Sequence, residues 1–101
     1  MELRVADNPE KARYVVLADG DLAGFVQYEL TQNAIAFTHT QTDARFRGRG
    51  IAGHLVRAAL DSARERGLGV LPYCPFVRAW IGEHPDYADL VPADRRAEFD
   101  L

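Results

Sequence analysis

A strand-like pattern runs from residue 13 to residue 42, and from Ile51 the apolar positions recur with a longer period. Residues 13–18 (RYVVLA) are β-branched and aromatic, which predicts a strand. Asp19-Gly20-Asp21 reads as a tight turn, because Asp-Gly supplies the positive φ that hairpin turns require. The next strand spans Leu22–Leu30, with Leu22, Gly24, Val26, Tyr28 and Leu30 on one face and Gln27 and Glu29 on the other. Thr31-Gln32-Asn33 makes a second turn. A third strand covers Ala34–Thr42, where Ile35, Phe37, His39 and Gln41 point one way and Thr38, Thr40 and Thr42 the other. Three such strands in succession predict an antiparallel meander.

From Ile51 to Arg66 the spacing is helical: Ile51, Leu55, Ala58, Ala59 and Ala63 form an apolar stripe that Val56 and Leu60 widen. Gly67 is the expected stop, and Arg64 and Arg66 in the last turn suit the helix dipole. Residues 68–73 (LGVLPY) predict a short strand. A second helix is expected over Pro75–Glu83, with Pro in its first turn and His84-Pro85 ending it. Beyond Asp86 the pattern yields only a helical turn near Asp94–Phe99. The strand–helix–strand unit from 34 to 73 predicts a right-handed crossover. The fold class is therefore α+β, a mixed sheet in which an antiparallel meander precedes a β-α-β crossover, covered by helices. The 101 residues fit a single domain spanning 1–101.

Composition narrows the function classes. A net charge of −3 argues against a general nucleic-acid binder. No apolar run approaches the roughly 18–20 residues of a membrane span, and MELRVADN lacks a signal-peptide core, so a soluble, cytoplasmic setting is expected. Cys74 is the sole cysteine, which excludes an intrachain disulfide, and no His/Asp/Glu cluster has metal-ligand spacing, so no metal is expected. Charge is uneven: Arg45, Arg47 and Arg49 gather around glycines, whereas Glu83, Asp86, Asp89, Asp94, Glu98 and Asp100 face only Arg95 and Arg96. The first region suits an anion. The second suits a cation or is a solvated end.

The segment Arg45-Phe46-Arg47-Gly48-Arg49-Gly50-Ile51-Ala52-Gly53 lies between a strand and a helix. A helix start offers free N–H groups and partial positive charge, glycines let the backbone approach an anion, and arginines add bidentate contacts. A diphosphate is the matching guest; a flexible loop with a glycine cap is the bland alternative. Gly48, Gly50 and Gly53 also spell G-x-G-x-x-G. A Rossmann site is nevertheless excluded, because polar residues separate the strand from the first glycine and the next strand ends in Leu71-Pro72-Tyr73 without an acid. No Lys-Ser or Lys-Thr follows the glycines, which excludes a Walker A loop.

Arg45-x-x-Gly48-x-Gly50-x-Ala52 resembles the R/Q-x-x-G-x-G/A acetyl-CoA motif of the GNAT superfamily of N-acetyltransferases. His39-Thr40 before the turn, and Cys74-Pro75-Phe76, Trp80 and His84-Pro85-Asp86-Tyr87 after it, resemble the small, roughly hundred-residue branch of that superfamily. The resemblance covers residues 13–91. It implies that backbone groups of Thr40, Gln41 and Thr42 hold the pantetheine arm of acetyl-CoA. The amides of Arg47, Gly48, Arg49, Gly50, Ile51, Ala52 and Gly53 would hold its diphosphate. The chain departs from the branch at Thr42-Asp43, where relatives tend to have Val-Pro.

Two side chains are candidates for the chemistry. Cys74 precedes a helix whose N-terminus favours a thiolate, so it suits a covalent acetyl relay; the plain alternative is a small buried residue at a strand end. His39 suits a general base for the incoming amine, or a partner that activates Cys74; the alternative is a half-buried, hydrogen-bonded imidazole. Phe76 and Trp80 read as core at helical spacing, Tyr28 as core or substrate wall, His54 as solvent-facing and His84 as a helix stop. The expected activity is acetyl transfer from acetyl-CoA to an amine, with a non-catalytic acyl-CoA- or partner-binding module and a thiol redox sensor as rivals. With about a dozen residues before the first clear strand, the acceptor groove should be open. That suits a protein, a small amine or a site completed by a second subunit, so monomer and homodimer both stand.

Overall fold

A computed structural model describes Met1–Leu101. Five strands form one sheet in the order β1 (Leu3–Asn8), β2 (Arg13–Ala18), β3 (Asp21–Leu30), β4 (Ala34–Thr42) and β5 (Gly69–Pro72). The first four are antiparallel neighbours, and β5 runs parallel to β4. Helix α1 (Ile51–Glu65) joins β4 to β5, and α2 (Pro75–Glu83) follows β5. The Asp19-Gly20 turn has φ of 49° and 87°, as its sequence predicts.

Strand β1 extends the meander from three strands to four. It offers only Leu3 and Val5 as apolar residues, too short an alternation to stand out, and its pairing with β2 defines it. At the far end, two 3-10 segments, Pro85–Leu90 and Ala93–Phe99, occupy the stretch where only one turn is expected. They bury Tyr87, Leu90 and Phe99, and Val91 between them is buried as well. Their acidic residues are not all free in solvent, since Asp89 pairs with Arg64 at 2.8 Å and Glu98 with Arg95 at 2.8 Å.

The core lies between the sheet and α1, whose Ile51, Leu55, Val56, Ala59, Leu60 and Ala63 are buried as the stripe predicts, whereas Ala58, expected in the stripe, is half-buried. Two bulges break the alternation assumed for β3 and β4. Opposite β2, Ala23 is an extra residue between Leu22 and Gly24; it is fully buried, while Leu22 is exposed. Opposite β3, Tyr28 pairs with Phe37 and Gln27 with His39, so Thr38 is the extra residue. The second bulge overturns the expected facing of β4. Thr40 pairs with Val26 and shares the core face with Phe37, whereas His39 and Gln41 turn to the opposite, exposed face.

Candidate functional site

Strands β4 and β5 pair only from Ala34–Phe37 to Gly69–Pro72. The Cys74 N–H then donates to the Phe37 carbonyl at 2.8 Å, and the two strands part. Beyond this point β4 keeps β3 on one side and has no strand on the other. The Asp43 N–H donates to the Ala23 carbonyl, and the Gln41 carbonyl lies only 2.7 Å from where a Cβ on Gly24 would stand. Gln41 and Asp43 therefore direct their backbone groups to β3. By alternation, Thr40 and Thr42 direct theirs to the open edge.

That edge leads to the glycine turn. The Asp43 carboxylate accepts from the Arg45 N–H at 2.9 Å and from its guanidinium at 3.2 Å, which starts a 3-10 turn at Ala44–Phe46. The Arg45 backbone N–H, ahead of its guanidinium, holds the Asp43 carboxyl below the usual carboxylate range. The acid that departs from the branch pattern is thus neutralised locally. Gly48 and Gly50 take φ of 78° and 72°, and Gly50 caps α1 in the left-handed region. The first helical bond runs from the His54 N–H to the Gly50 carbonyl at 3.1 Å, so the amides of Ile51, Ala52 and Gly53 have no intrahelical partner. Arg47 and Arg49 are exposed, and neither guanidinium pairs within the chain. Thr42, Phe46, Arg47, the glycine turn and Phe76 enclose an open groove of about 230 Å³. Free amides, a helix N-terminus and unpaired arginines at one mouth are the donor set a diphosphate requires.

Cys74 is the N-cap residue of α2 and is 3 % exposed. Its Sγ lies 3.3 Å from the Thr40 Oγ1 across the parting strands. Strict alternation puts the Thr40 side chain on the opposite face; the bulge at Thr38 brings it to this one. His39 stands apart, on the other face of the sheet, with its ring 6.2 Å from that of Phe25 and no hydrogen bond to Cys74. The two segments lie side by side, but His39 is not placed as the partner that would activate Cys74.

Phe76 also departs from expectation. It is 43 % exposed and lines the groove, because the first turn of α2 projects past the end of β5. Trp80 is buried, as its spacing predicts, and His54 is exposed. The Nδ1 of His84 lies 2.7 Å from the Trp80 carbonyl at the end of α2. Tyr28 is core, its hydroxyl donating to Asp7 at 2.6 Å.

Known proteins share this fold. The family profile for GCN5-related N-acetyl-transferases matches residues 13–90. Protein NATD1 of Xenopus tropicalis is 29 % identical over 85 residues, covering 82 % of this chain and 78 % of that protein. Streptothricin acetyltransferase of Streptomyces lavendulae is 40 % identical over 67 residues, 64 % of this chain and 35 % of that enzyme. Among solved structures, a GCN5-like protein from Staphylococcus aureus superposes with a TM-score of 0.68 at 20 % identity, covering 89 % of this chain and 88 % of the other. A ribosomal-protein-alanine N-acetyltransferase from Brucella melitensis gives 0.57 at 25 % identity, covering 80 % and 61 %. With the profile spanning most of its length, the chain belongs to the GCN5-related N-acetyltransferase family.

Proposed function

We propose that the protein is an acetyl-CoA-dependent N-acetyltransferase acting on an amine. The observation that supports this reading is a succession along β4: Thr42 lines the groove with the free amides of the glycine turn, and Thr40, two residues back on the same open edge, touches the Cys74 sulfur at 3.3 Å. Bound there, acetyl-CoA would supply the acetyl group as a thioester. The Gly48–Gly53 turn would hold the diphosphate, with Arg47 and Arg49 neutralising its charge. The backbone of Thr40 and Thr42 would pair with the amides of the pantetheine arm as a strand would.

Cys74 then has the position to act as a relay. Its Sγ would take the acetyl group as a thioester, its proton leaving with the departing CoA thiolate, and pass the group to the amine with return of a proton to the sulfur. In the direct alternative the amine attacks the bound thioester and Cys74 only shapes the cleft. Because α1 and α2 pack against one face of the sheet, the acceptor would approach from the other. His39 is the titratable side chain that β4 offers there, which favours a role as base for the amine over a role as partner to Cys74.

Calorimetric titration with acetyl-CoA, with ATP as the control, tests the reading. One-site binding of acetyl-CoA without binding of ATP is expected, followed by release of CoA with at least one member of an amine panel. Binding without turnover would favour the non-catalytic module. Binding of neither nucleotide would end the acetyl-CoA reading.

A further inference from the structure

Phe76 and Trp80 are one turn apart on α2, so the ring that lines the groove and the indole share a face of the helix. Trp80 is 8 % exposed, and its plane is fixed. The His84 ring stacks on it at 3.8 Å and 13°, and Tyr87 meets it edge-on at 5.0 Å. Its Nε1 has no hydrogen-bond partner in the chain, although a buried indole N–H ordinarily finds an acceptor. Arg13 Nε is the one unpaired side-chain nitrogen or oxygen sealed from solvent, so the indole N–H keeps a window outward. The Nε1 lies beside Gly53, where an added Cβ would sit 3.5 Å from it. Gly53 is the third residue of α1, lines the groove and carries one of the free amides.

We propose that Trp80 is a ligand-binding residue, its indole N–H donating to an oxygen of the diphosphate seated at the α1 N-terminus, and that Gly53 leaves the path to that bond open. The proposal rests on the acetyl-CoA reading. A phosphate oxygen is the acceptor this place favours, because the Gly53 amide and the dipole of α1 draw negative charge to the same point. The stacked and edge-on rings hold the indole in place before the ligand arrives, which limits the ordering cost of the bond.

The chain has one Trp, so its proton–nitrogen NMR spectrum contains a single indole resonance. Titration with CoA should move that resonance downfield together with the amides of Gly48–Gly53, whereas pantetheine, which has no diphosphate, should leave it in place. Gly53→Ala covers the N–H with a methyl group and should weaken CoA binding about tenfold, as expected for loss of a bond to a charged acceptor. Its melting temperature should hold or rise, since Ala is the better helix former. Trp80→Phe should show the same loss where it folds. A static indole resonance while the glycine-turn amides move, an indole shift with pantetheine, or wild-type CoA affinity in Gly53→Ala would each overturn the proposal. If CoA moves no resonance at all, the acetyl-CoA reading fails and the Trp80 assignment falls with it.

Discussion

Replacing Cys74 by Ala separates the two routes of acetyl transfer, provided that the variant stays folded. The side chain is 3 % exposed and touches Thr40 Oγ1 at 3.3 Å, so removing the sulfur deletes one buried heavy atom and leaves a small void. A buried methylene-sized group contributes about 0.8 kcal/mol, and the void raises the loss to roughly 1–2 kcal/mol. For a chain of this size that lowers the melting temperature by about 5–10 °C, which a thermal melt of the variant measures. The backbone hydrogen bond from Cys74 to Phe37 survives the change, so the parting of β4 and β5 should be kept. Activity is then interpretable. A relay through Sγ predicts loss of at least about a thousandfold in kcat/KM with unchanged acetyl-CoA affinity, because the nucleophile is gone. Direct attack by the amine predicts a fall within about tenfold. The assay is CoA release under saturating acetyl-CoA, paired with intact-mass measurement of wild-type protein after brief exposure to acetyl-CoA without acceptor. Near-wild-type turnover in Cys74→Ala, with no acetylated protein in the mass spectrum, would refute the relay.

Other outcomes follow from single contacts. His39→Ala should lower kcat with the amine while leaving acetyl-CoA affinity unchanged by calorimetry, and undiminished turnover would remove His39 from the chemistry. Gly50→Ala meets no atom within 4 Å, so its cost is the left-handed backbone alone, about 1–2 kcal/mol. Its melting temperature should fall, whereas Gly82→Ala, in open space on α2 and without a positive φ, should raise it. Burial, and then the Asp7 carboxylate, push the Tyr28 phenol well above its ordinary value of 10.0. The folded value exceeds the unfolded one, so this stability is complete below pH 10 and is lost as pH rises through the folded value. Tyr28→Phe should flatten that alkaline decline in urea titrations and cost about 1.5 kcal/mol at neutral pH, the low end for a bond to a partly exposed carboxylate.

The elements that the sequence makes legible are those whose burial is one-sided and regular. Helix α1 carries six buried positions on one stripe, and Gly67 stops it with φ of 69°. The glycine turn is legible for a different reason, since Gly48 and Gly50 stand where the chain must adopt positive φ. Strand β1 is obscure because a short edge strand with one solvated face needs only Leu3 and Val5. Phe76 misleads because helical spacing cannot reveal that the first turn of α2 overhangs the end of β5. Trp80 is readable as core and not as a donor, because the packing of α2 against Gly53 is a tertiary fact. The spacing of Phe76 and Trp80 is the one signal that ties the indole to the groove.

The bulge at Thr38 shows most clearly why a period of two fails at the site. Strict alternation from Phe37 would bring His39 to the core face beneath the helices and turn Thr40 to solvent. An imidazole there would need a buried acceptor, and Cys74 would lose its Thr40 neighbour. One inserted residue reverses both outcomes, leaving Thr40 against the Cys74 sulfur and His39 over Phe25 on the open face. The backbone of Thr40 meanwhile keeps its groups on the free edge of β4. In the proposed reaction this puts the acetyl-holding groups on one side of the pantetheine path and the proton acceptor on the other. The alternating pattern of Ala34–Thr42 conceals the register shift because Thr38 is polar on either face.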